Sequence, residues 1–150
     1  MRKILIIGLI FSFLSCSETL TKSYDNYDEF NLASGGEKSW FHDLIALDCY
    51  NIKEIHNLDN NYSFGKFSYE DSKRIIQIIS DPITIQEISI SDAIKYISRI
   101  SKPNRPSWFI DNDEIQGCAT FRSKDLVFIH QSSTKTIYFV SNSIEQYNSP

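Results

Sequence analysis

An apolar run over residues 4–14 gives way to a polar, acidic stretch over 17–39 in which hydrophobic residues are sparse, and regular patterning begins at Trp40-Phe41. Leu44, Ile45 and Leu47 follow at spacings that suit a helix face better than strand alternation, and Ile52, Ile55 and Leu58 extend that period weakly. Asp59-Asn60-Asn61 is a turn cluster, after which Tyr62, Phe64 and Phe67 read as a strand. Ser68-Tyr69-Glu70-Asp71 is a helix start, because a serine caps free backbone N–H groups and acids in the first turn suit the helix dipole. Ile75, Ile76 and Ile79 form the apolar stripe of that helix, and Asp81-Pro82 ends it.

A second capped start lies at Ser89-Ile90-Ser91-Asp92, with Ile94, Ile97 and Ile100 as its buried face and Pro103 and Pro106 closing it. Short β-branched and aromatic runs then cover residues 107–111, 115–122, 126–131 and 136–141, separated by polar turns at Asn112-Asp113 and Ser132-Ser133-Thr134-Lys135. The expected fold is α+β, two or three helices packed on a three- to four-stranded antiparallel meander. Leu126 and Phe128 alternate with Val127 and Ile129, and Ile137 and Phe139 with Tyr138 and Val140, so these two strands are apolar on both sides. Such strands are central or covered. The helices are expected over one face and the Trp40 segment, or a partner, over the other.

The 150 residues suffice for one domain with a real core, and 41% hydrophobic with 13% aromatic content fits a folded chain. The expected division is a leader over 1–15, a lipidated cysteine with a polar tether over 16–39, and a single α+β domain over 40–150. A flexible tether of about 20 residues reaches about 25 Å. Tyr24, Tyr27 and Phe30 recur every third residue, and the alternative is that they form one docked helical turn.

The leader has a basic start at Arg2-Lys3, an apolar run too short to span a bilayer comfortably, and a small residue at Ser15 before Cys16. Phe13-Leu14-Ser15-Cys16 resembles the lipobox of bacterial lipoproteins, although Phe13 and Leu14 stand where leucine and a small residue are usual. The resemblance implies acylation of Cys16, removal of residues 1–15, and a lipid-anchored protein of the cell envelope, with the outer membrane expected. Losing Arg2 and Lys3 leaves the mature chain two charges more negative than the −4 of the full sequence. An acidic body is not held on an anionic membrane by its own charge, so the lipid bilayer is engaged through acyl chains on Cys16. No run of lysine and arginine supplies the cationic stripe that nucleic acid requires.

With Cys16 lipidated, Cys49 and Cys118 remain as a pair in a compartment that permits disulfides, and a bridge between them is expected. Closing so long a loop would contribute up to about 4 kcal/mol. The competing chemistry makes Cys118 a nucleophile with His130 as its base. It requires a three-residue loop over 123–125, which would set the two opposite each other on one face of neighbouring strands. That order is loosely similar to some cell-wall cysteine peptidases. Those enzymes, however, place the cysteine at a helix N-terminus, whereas Gly117-Cys118-Ala119-Thr120 reads as strand.

His42-Asp43 and His56 with Asp59 lack metal-ligand spacing, and Asp111-Asn112-Asp113-Glu114 lacks the glycine and terminal glutamate of a calcium loop, so it reads as a hairpin turn. Trp40, Phe41, Trp108 and Phe109 are first of all core rings, with Trp108 and Trp40 as candidate binding anchors and Trp108 preferred. No glycine-rich phosphate cradle and no Gly-x-Ser-x-Gly elbow occurs. The expectation is a non-enzymatic envelope lipoprotein without a cofactor, acting on an envelope protein as inhibitor, immunity-type or accessory factor. The alternatives are a cysteine hydrolase using Cys118 and His130, and a structural or stress-related surface lipoprotein.

Overall fold

A computed structural model describes residues 19–34, 44–100 and 104–142. Its centre is one seven-stranded sheet in the order β1-β2-β3-β7-β6-β5-β4, antiparallel at every pairing. The strands are β1 (Thr19–Asn26), β2 (Cys49–Asn57), β3 (Tyr62–Tyr69), β4 (Gln86–Glu87), β5 (Ala119–Ser123), β6 (Leu126–Gln131) and β7 (Thr136–Asn142). Four short helices accompany them: α1 (Tyr27–Ser34), α2 (Ser72–Ile79), α3 (Ile90–Ser98) and α4 (Asn112–Ile115). The expected helices on a three- to four-stranded meander are therefore corrected to a sheet-dominated fold.

The correction comes from the first half of the chain. Ile52, Ile55 and Leu58 mimic a helical period, yet β2 is a strand because it pairs along its length with both β1 and β3. A bulge between Tyr50 and Lys53, with Asn51 at φ 50°, puts Cys49 and Ile52 on the same face, and beyond it ordinary alternation sends Lys53 and Ile55 to the other. Leu44 to Leu47 are not helical, while Trp40, Phe41 and His42 lie outside the described residues. The tether expected over 16–39 is corrected too. Residues 19–26 form the edge strand and 27–34 a helix, and the buried rings of Tyr24 and Phe30 meet edge to face at 5.4 Å.

Strands β6 and β7 are central and apolar on both faces, as their alternation predicts. On one face, Phe128, Ile137 and Phe139 join Phe67, Tyr69 and Ile52 beneath α1, α2 and Ile45. On the other, Val127, Ile129 and Val140 join Phe64, Phe109, Ile110 and Ile115 beneath α3 and α4. The helices are thus divided between the faces rather than gathered on one. Full burial of each such side chain contributes about 1.5–3 kcal/mol, which makes this double core the main source of stability.

Local signals place the helices. Asp71, not Ser68, caps α2, its Oδ1 accepting from the N–H groups of Lys73 at 2.9 Å and Arg74 at 3.4 Å. Ser68 stays in β3 because the buried Phe67 and Tyr69 extend the ladder past it. In α2, Ile75 is buried but Ile76 is 54% exposed, so one isoleucine of the expected stripe faces water. Of the two serines in the expected start, Ser89 rather than Ser91 caps α3, accepting from the Asp92 N–H at 3.1 Å. Residues 107–110 form turns rather than a strand, and Asp111 opens α4, where the Glu114 carboxylate accepts from the Asp111 N–H at 3.1 Å. The hairpin turn expected there is therefore a capped helical turn.

The two halves of the sheet meet where Gly65 of β3 pairs with Phe139 of β7. The Phe139 ring lies so close that a Cβ at Gly65 would fall 1.9 Å from its carbons, and Phe139 is fully buried with no room to retreat. Gly65→Ala is expected to destabilise the fold by about 1–3 kcal/mol, measured by urea unfolding with the m-value unchanged.

Candidate functional site

A groove of about 990 Å³ opens on the α2 face, at the upper end of the range typical of ligand clefts. Leu126 and Phe128 of β6 and Ser141 of β7 line it from the sheet, Gln77 and Ile78 from α2, and Leu44 from the segment before β2. It exists because α2 ends at Ile79, leaving Leu126 partly buried and the sheet there incompletely covered.

Both rims are built rigidly. On one side Asp81 organises the loop after α2, its carboxylate accepting from the Ile83 N–H at 3.0 Å and the Thr84 hydroxyl at 2.9 Å. This turn holds Ile83 at the groove with its side chain 91% exposed. On the other side is the Lys124-Asp125 turn, with Lys124 left-handed at φ 54° and its carbonyl accepting from Arg122 Nε at 2.8 Å. The Tyr96 hydroxyl reaches from α3 to donate to the Asp125 carbonyl and accepts from the Asn142 N–H at 3.0 Å. The turn is thereby tied to β7, and burial raises the Tyr96 hydroxyl pKa.

The predicted site residues are scattered. Cys16 and Trp40 lie outside the described residues. Cys49 and Cys118 are both free and belong to the cores on opposite faces, so the expected bridge is corrected. Cys49, 1% exposed, accepts from Arg74 Nη2 at 3.1 Å and from the Ala46 N–H at 3.4 Å. Its thiol pKa is nonetheless raised, because burial outweighs those contacts. Arg74 also pairs with Asp48 at 2.9 Å and donates to the Leu44 carbonyl at 3.0 Å, clamping the chain before β2 against α2.

The proposed Cys118–His130 pairing fails on register. The β5–β6 loop is two residues long, Ala119 pairs with His130, and Cys118 falls on the α4 face while His130 falls on the α2 face. Burial and the Glu114 carboxylate raise the Cys118 pKa, the reverse of what a thiolate nucleophile needs. His130 instead shares a 2.7 Å hydrogen bond with the Tyr69 hydroxyl.

His56 sits beside the buried carboxylate of Glu54 at 3.3 Å, and Lys22 approaches the same carboxylate at 3.9 Å. Ser63 lies opposite His56, but the adjoining cavity is only about 30 Å³, room for a water rather than a substrate. Among the described residues no three His, Cys, Asp or Glu side chains gather as a metal site would require. Trp108 is half-buried on the face opposite the groove, 6.3 Å from Phe109, so its ring is partly core and partly available. Sequence reading missed the groove, whose only local signal was the Asp81-Pro82 helix stop.

The described residues form a single-sheet protein with an open groove on one face. Residues 18–68, about a third of the chain, match the family of the YbbD head domain, a bacterial domain. The match covers β1, α1, β2 and nearly all of β3. No curated protein and no solved structure matches the chain.

Burial holds the His130 pKa below its ordinary 6.5. As pH falls through 6.5 the unfolded chain takes up the proton first, so stability that is complete above that value is lost below it until the folded pKa is passed. Urea unfolding should fall by up to about 1.4 kcal/mol per pH unit more in the parent than in His130→Gln.

Proposed function

We propose that the chain is a lipid-anchored protein of the bacterial envelope with a non-enzymatic binding role, as inhibitor, immunity-type factor or accessory subunit. The observation that carries the binding role is the groove itself, with apolar Leu126 and Phe128 on the sheet side and an isoleucine projecting from a rigid rim. An exposed isoleucine on an ordered loop loses little entropy when covered, and protein interfaces are anchored by apolar side chains seated in pockets. A partner side chain enters between Ile83 and the Lys124-Asp125 turn and completes the cover that α2 leaves unfinished. The anchor rests on the leader and Cys16. No helix among the described residues is long and apolar enough to cross a membrane.

Intact-mass analysis of membrane-extracted protein is expected to find acyl chains on Cys16 as the first residue, and an unlipidated mature chain would overturn the anchor. A photo-crosslinker at Thr84 should yield one discrete product in cells. Ile83→Asp is expected to abolish that product while changing stability by no more than about 0.5 kcal/mol, because Ile83 is exposed. Crosslinking indifferent to Ile83→Asp would remove the groove from the binding role.

A further inference from the structure

On the face opposite the groove, a row of side chains crosses four strands. Ser23 of β1 pairs with Lys53 of β2, Lys53 with Lys66 of β3, and Lys66 with Tyr138 of β7. Directly paired residues of an antiparallel sheet point the same way, and neighbouring strands are about 4.8 Å apart, so the two lysines stand side by side. Like charges so placed repel. No carboxylate forms an ion pair with either lysine among the described residues. Glu114 acts on Tyr138 and is engaged in capping α4. Burial, then the facing Lys53, lowers the Lys66 pKa. Lys66 Nζ lies 6.0 Å from the ring centres of both Trp108 and Tyr138, at the outer limit of a cation–π contact, so the rings do not neutralise it.

Two lysines held in register with no ion pair among the described residues, flanked by two half-buried aromatic rings, carry a local repulsive cost. We propose that Lys53, Lys66, Trp108 and Tyr138 form a recognition surface for an acidic side chain of a protein partner. One carboxylate bridges the two ammonium groups, and the partner's adjoining apolar atoms pack on the rings. Two cations are too few to hold a membrane surface, which takes clusters of about 4–8, and they make no stripe for a phosphate backbone. Tryptophan and tyrosine beside a compact charge are instead typical of protein interfaces.

This surface rests on the binding role proposed above only in taking a protein as its partner. The test is an NMR titration of the full chain in detergent micelles, following the Trp108 indole N–H, assigned through Trp108→Phe. The probes are a capped Glu-Leu-Glu peptide, its Gln-Leu-Gln counterpart, inorganic phosphate, and phosphatidylglycerol vesicles. The glutamate peptide is expected to shift the signal saturably, and the glutamine peptide to leave it in place. Lys53→Gln and Lys66→Gln should each weaken binding about tenfold or more, the loss of one charge-assisted contact. Both variants should melt about 2–5 °C above the parent, because each relieves the repulsion across the strands.

An equal response to the glutamine peptide, retention of binding in both lysine variants, or silence toward the glutamate peptide overturns the proposal. So does saturation by phosphate alone or by the vesicles with the peptide silent, which would reassign the surface to a small anion or to lipid. An Ile83→Asp chain that keeps both its crosslink and the peptide response overturns the groove and leaves this surface standing, whereas one that loses the crosslink while the parent is silent toward the peptide overturns this surface and leaves the groove.

Discussion

Strands β6 and β7 carry large apolar side chains on both faces, and a sheet built around them is stable only if both faces are covered. That requirement organises the molecule. The chain leaves β3, lays α2 across one face, crosses to the far edge at β4, covers the other face with α3 and α4, and returns strand by strand until β7 closes against β3. The closure is tight, for Phe139 occupies the space that any side chain at position 65 would need. Packing at interior density leaves such a contact no slack, so the two halves of the sheet are registered by a ring against a missing Cβ.

The same two-sidedness separates reactive groups that lie near one another in sequence. A one-residue change in loop length moves every side chain of a strand to the other face, and the two-residue β5–β6 turn therefore divides Cys118 from His130. Cys49 and Cys118 are divided by the sheet as well, each absorbed into a different core. Cys49 belongs to a clamp in which Arg74 holds Leu44, Asp48 and the thiol together, so its surroundings serve the join between β2 and α2.

What the helices leave uncovered on the sheet is a groove on one face and a lysine row on the other. The groove lies where α2 stops short on one face, and it draws nearly all its lining from residues beyond 68. The lysine row on the other face joins Lys53 and Lys66, inside the stretch that matches the YbbD head domain, to Trp108 and Tyr138 outside it. The domain is therefore not a matched head with an appendage. Its second half completes both surfaces, and neither exists until β7 pairs with β3.

The sequence by itself determined the elements whose signals are local. The Ser89-Ile90-Ser91-Asp92 start of α3 is a cap signal that either serine could satisfy, and the β6 and β7 runs alternate strongly enough to announce strands buried on both faces. It also marked Trp108 beside Phe109, two rings that the structure places together on the α4 face. Only the tertiary structure decided that residues 19–34 belong to the domain, because an edge strand of mostly polar residues gains its stability from the ladder with β2 and from the burial of Tyr24 and Phe30. It alone made β2 a strand against a helical spacing, since hydrogen bonds to two neighbours outweigh a weak local period. The lysine row and the groove were beyond reach for the same reason. Both depend on register and on where a helix ends over a distant strand, and such relations between residues far apart in the chain are set by how whole surfaces pack.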